Sequence, residues 1–190
     1  MSMIDNLLTK ERVFGTLAWM GLHTGSFFAH EYSHMIAIRT LFTNIDPYMD
    51  CDSFFPFIHC YVDWNGNPAI RPELSITSET GHGIVSAAGP ISDITLSALS
   101  AVAACKIRNS NKKIALLFAA HAFSRSLNIF LYAISTQRSG MNDFASVESQ
   151  LGIPHYIQTA ITGSVALGAA LLMKNIFFSN STEVNGKKNS

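Results

Sequence analysis

The chain has 190 residues, 48% of them hydrophobic and 14% charged, with thirteen Lys/Arg balanced by thirteen Asp/Glu. Zero net charge excludes the basic footprint of a nucleic-acid binder, and the charged fraction falls well below the roughly 25% of ordinary soluble domains. Such a length suits one domain, expected over 1–178, with a polar tail at 179–190 expected to be disordered.

Residues 1–12 read as a short amphipathic lead-in. Lys10 and Arg12 precede an apolar run without a small-residue cleavage site, so no removable signal peptide is expected. The first expected membrane span, 13–42, is long and carries the stretch FFAHEYSHMIAIRTLF. Residues 43–82 differ in texture, with Asp46, Asp50, Asp52, Asp63, Glu73 and Glu79 among prolines and aromatics. Within them, FIHCYVDWNGNP predicts a short strand followed by a turn at Asn65-Gly66, hence a short hairpin-like loop after the first span. Such a strand is either a plain surface hairpin or an edge to which an extended peptide adds. Cys51 and Cys60 share this loop and can pair if it faces an oxidising space, whereas Cys105 is expected to be a small buried hydrophobe.

Three further spans follow, at 83–105, 114–135 and 156–178, each close to the roughly 20 residues a bilayer requires. Their formal charges are Asp93 in the second, Arg125 in the third and Lys174 near the end of the fourth. The expected fold is an all-α polytopic membrane protein of about four transmembrane helices, the alternative being a soluble bundle of unusually apolar helices. Lys10, Arg12, Lys106, Arg108, Lys112, Lys113, Lys174, Lys187 and Lys188 fall on one set of connecting segments, and only Arg39, Arg71 and Arg138 on the other. The positive-inside rule then puts both termini in the cytoplasm and the 43–82 and 136–155 loops outside.

His30-Glu31-Tyr32-Ser33-His34 is an H-E-x-x-H pattern inside an apolar segment. Residues four apart share a helix face, so His30 and His34 can hold one metal ion, with Glu31 about 100° round as a general base. Ionisable groups are costly in a membrane and mark function by default, and a cation offsets that cost. A hydrolytic zinc site takes three protein ligands and a water. The third ligand is open among Asp143, Asp93, His121, His59, His82 and His155. Asp143 follows the third span, on the expected side of His34, but Asp also commonly caps a helix such as FASVESQL. Asp93 and Arg125 are expected to pair between neighbouring spans, and His121 to serve packing or hydrogen bonding. His23 lies about 10 Å from His30 along the helix, too far for the same ion, and is expected to line the cavity or bond a backbone carbonyl.

The order of H-E-x-x-H at 30–34, AAGPISD at 87–93 and LNIFLYAISTQRSGMNDF at 127–144 resembles the site-2-protease group of intramembrane zinc metalloproteases. The resemblance implies Zn²⁺ held by His30, His34 and Asp143, Glu31 as the catalytic base, and Asn128 as a substrate-binding residue. It further implies a hydrolase cutting peptide bonds of membrane proteins or peptides within the lipid bilayer. The alternative is a non-proteolytic membrane scaffold that keeps the same fold.

Overall fold

A computed structural model of the chain describes residues 10–54, 57–139 and 142–178. Helix α1 (Lys10–Leu41) runs directly into an antiparallel hairpin, β1 (Phe42–Phe54) and β2 (Phe57–Ile70). Helices α2 (Ser78–Ile107), α3 (Lys112–Ser139), α4 (Asp143–Leu151) and α5 (His155–Phe178) follow. The expected disorder of 179–190 and the lead-in before Lys10 lie outside the described residues.

The helix boundaries have local chemical causes. Thr77 caps α2, its side chain accepting from the Thr80 N–H at 3.1 Å. Asn111 opens α3 by accepting from the Ile114 N–H at 3.1 Å. Asn142 caps α4 from the Ala145 N–H at 3.0 Å, and Gly152, left-handed at φ 67°, ends it. Each side-chain oxygen satisfies a donor that the first turn leaves orphaned, and glycine takes the left-handed conformation without a Cβ penalty.

Helix α2 lies at the centre, against α1 on one side, α3 on another and α4 on a third, while α5 packs on α3. Small residues make the close approaches: Ala104 of α2 meets Ala115 and Ala119 of α3, with Ile176 of α5 beside them. Ser97 donates across to the Ala122 carbonyl at 2.9 Å. The outward faces carry Leu99, Val102, Leu131, Leu167, Leu171 and Phe177 instead. An interior of small and polar residues inside an apolar exterior is how helices associate where the solvent is lipid.

Three helices are long and apolar enough to cross a membrane: α2, α3 over Lys112–Ser135, and α5. The first expected span coincides with α1, which has the length at 32 residues but whose apolar sequence is broken by the histidines and Glu31.

The short hairpin expected after the first span is present, with strands of 13 and 14 residues, but the chain reverses between Phe54 and Phe57 rather than at Asn65-Gly66. Gly66, at φ 106°, sits instead in an irregularity opposite Asn44, itself at φ 62°. A Cβ on Gly66 would overlap the Asn44 carbonyl oxygen. Tight turns and bulges both call for positive φ, so the same dipeptide serves either.

Tyr48, Asp50, Tyr61 and Asp63 share one hairpin face, where each tyrosine donates to the aspartate opposite, at 3.2 Å and 3.1 Å. The other face carries Met49, Val62, Trp64 and the disulfide Cys51–Cys60, formed between directly opposed residues. Cys105 is exposed on the outer surface of α2, contrary to expectation. Ala104, one position earlier and about 100° round the helix, takes the buried place.

Candidate metal centre

His30 and His34 lie one turn apart near the C-terminal end of α1, and their Nδ1 atoms turn away from each other to separate partners. His30 Nδ1 bonds Asp93 Oδ2 of α2 at 2.8 Å, and His34 Nδ1 bonds the Val85 carbonyl at 2.7 Å. A carbonyl oxygen and a carboxylate only accept, so both Nδ1 atoms carry the proton. In the neutral rings both Nε2 atoms are then lone pairs. They lie 3.3 Å apart, and Asp143 Oδ2 stands 3.5 Å from each.

Three lone-pair donors converging at these spacings repel one another unless a cation or a shared proton lies between them. Zinc bound tetrahedrally at about 2.0–2.2 Å would place neighbouring ligand atoms about 3.3–3.5 Å apart. The donor set therefore fits zinc in both chemistry and spacing. Among the described residues, His30, His34 and Asp143 form the cluster able to hold a metal ion, with ligand atoms all within 4.8 Å of one another.

Asn142, not Asp143, caps α4. The Asp143 carboxylate is thereby left for the histidines, at the helix N-terminus where negative charge is favoured. Glu31 Oε1 lies 4.0 Å from His30 Nε2, beside the ligand atoms rather than among them.

Helix α2 closes the site from below with Gly89-Pro90, both buried. A Cβ on Gly89 would overlap Nε2 of both His30 and His34. The glycine of AAGPISD is thus the residue that lets the backbone of α2 reach the ligand atoms.

Two cavities meet here. One, of about 470 Å³, is roofed by Cys60, Val62 and Trp64 of the hairpin and walled by His82, Ser86, Asp143 and Gln150. The other, of about 210 Å³, lies between α1 and α3, lined by Phe27, Asn128 and Ile129. His30, Glu31, Cys60 and Tyr132 belong to both linings. Asn128 therefore faces the second cavity and stands apart from the ligand cluster.

The remaining candidates for third ligand fall elsewhere. Asp93 pairs with Arg125, as expected, and also with His30, which sequence spacing did not reveal. His121 is buried between Ser26 and Ser100, bonding them through its two ring nitrogens at 2.8 Å and 2.9 Å. His82 walls the larger cavity, tilted against Phe42 and outside the cluster, and His155 lines a different cavity with Glu148. The His59 side chain lies outside the described residues. His23 stacks on Trp19 and lines neither cavity, and its Nδ1 is buried without a hydrogen-bond partner among the described residues.

Compared with family models, curated proteins and solved structures, the chain matches none.

Proposed function

We propose that the protein is a membrane-embedded zinc endopeptidase of the site-2-protease kind, acting on peptide bonds of membrane proteins or peptides. The observation that carries this reading is the convergence of His30 Nε2, His34 Nε2 and Asp143 Oδ2 at 3.3–3.5 Å spacing, with Glu31 alongside. In this reading α1 is a fourth span, both termini are cytoplasmic, and the hairpin and α4 lie on the opposite side.

Bound zinc supplies Lewis acidity and lowers the pKa of its water towards 7. The chain's residues do the rest. Glu31 takes the proton of the attacking water and delivers it to the leaving amine. The cavity under the hairpin and the one beside Asn128 hold the substrate on either side of the scissile bond, with Asn128 bonding its backbone. The apolar exterior of the bundle supports a substrate that arrives through lipid, and the hairpin over the site keeps bulk water away.

Glu31→Gln is the test, on protein purified in detergent and given a membrane-peptide substrate. The amide matches the carboxylate in size but takes no proton, so zinc and helix content should persist while cleavage falls about 10²–10⁴-fold. Cleavage within about tenfold of wild type would remove Glu31 as the base.

A further inference from the structure

Asp93 and Arg125 are buried charges in neighbouring helices, 4% and 1% exposed. Buried ion pairs contribute little net stability because desolvation offsets their attraction, so their presence calls for another explanation. The two oxygens of Asp93 have separate tasks: Oδ2 accepts from His30 Nδ1 at 2.8 Å, and Oδ1 accepts from Arg125 Nη2. Arg125 is poorly provided for in its own right. Its Nε and Nη1 are buried without partners among the described residues, and its guanidinium lies 5.6 Å from the Phe27 ring centroid.

Resting on the zinc-site reading above, we propose that Asp93 is a positioning residue for His30 and that Arg125 holds Asp93 in place, charged and aimed. The chain Arg125–Asp93–His30 fixes the imidazole with Nε2 turned into the site and strengthens it as a ligand. It also links α3, which supplies no ligand, to zinc binding on α1. The second ligand is held differently, since His34 donates to the neutral Val85 carbonyl. The two histidines therefore depend on unlike partners, and only His30 depends on a charge carried by two other helices. Carboxylates behind metal-bound histidines typically raise metal affinity about 10–100-fold.

Zinc affinity of the full chain in detergent, measured by competition with a chromogenic chelator, tests this without any substrate. Asp93→Ala should weaken zinc binding about 10–100-fold. Asp93→Asn should also weaken it, because it strands the Arg125 cation. Asp93→Asn combined with Arg125→Met leaves an amide oxygen to accept from His30 and no stranded charge, but it removes the carboxylate's charge, so affinity should rise above that of Asp93→Asn and stay about tenfold below wild type. His121→Ala, which disturbs the neighbouring buried cluster but not His30, should leave affinity unchanged. The absorption of cobalt-loaded protein should shift in Asp93→Ala and shift less in the double variant, which keeps an acceptor for His30.

Wild-type protein that binds no zinc would remove the reading on which the proposal rests. Tight wild-type binding with Asp93→Ala equally tight would overturn the proposal alone. If Asp93→Ala does not fold, the double variant decides. In it, binding about tenfold or more weaker than wild type supports the proposal, and affinity indistinguishable from wild type overturns it.

Discussion

The two ends of the α2–α3 packing are built from opposite materials. Towards Ala104 the helices meet through Ala115 and Ala119, with Ile176 of α5 beside them and no charge in the contact. Further along the same helices the contact carries Asp93 against Arg125, and α1 adds His30 beside them. The alanine end costs little to bury and holds the helices close. The charged end is expensive in an apolar bundle and repays that cost only if its groups act. Packing and chemistry are thus divided along one pair of helices, and the same close approach that small residues allow brings Gly89 up to the ligand atoms.

That division can be broken at either end. Glu31→Gln should have the largest effect on activity, with cleavage down about 10²–10⁴-fold and zinc and thermal stability close to wild type. Gly89→Ala should come next. Its new methyl would displace both imidazoles, so elemental analysis should find most of the zinc gone from a protein of normal helix content. A bundle glycine offers the contrast. A Cβ on Gly163 would meet the Phe130 ring edge at 3.0 Å. Gly163→Ala should therefore lower stability, read as the midpoint of unfolding in detergent, and leave zinc at wild-type stoichiometry. Ala119→Leu overpacks the alanine end and should cost about 1–3 kcal/mol by the same measurement, again without loss of zinc. A smaller effect is expected from Cys51→Ser with Cys60→Ser, which unties the hairpin roof. Zinc should stay and cleavage fall modestly, because neither sulfur belongs to the candidate ligand cluster. Loss of zinc in that variant would extend the site into the hairpin.

Much of the candidate cluster was legible because it is local. His30 and His34 are four residues apart, and helical geometry alone brings them together. Asp143 was legible from its place after the third span and from motif order, and the competing assignment of a helix cap falls to the neighbouring Asn142. Other features are separations that no local pattern encodes. His30 and Asp93 are 63 residues apart, and Val85 enters through its carbonyl, which has no sequence signature. Asn65-Gly66 was misread because it reports a need for positive φ without saying whether a turn or an irregularity creates it. Cys105 was misplaced because one residue along a helix is a rotation of about 100°, enough to exchange interior for exterior. The second, third and fourth expected spans coincide with helices apolar and long enough to cross a membrane. The first carries the site, and the groups that suit it to chemistry break the pattern that would mark it as a span.

The central claim is the ligand set, and X-ray absorption at the zinc edge on purified wild-type protein tests it most directly. The expected result is about one zinc per chain with a first shell of nitrogen and oxygen only, at about 2.0–2.2 Å and with two imidazole scattering patterns, and a loss of bound zinc in Asp143→Ala. A sulfur shell near about 2.3 Å, or a spectrum and zinc content unchanged in Asp143→Ala, would contradict it.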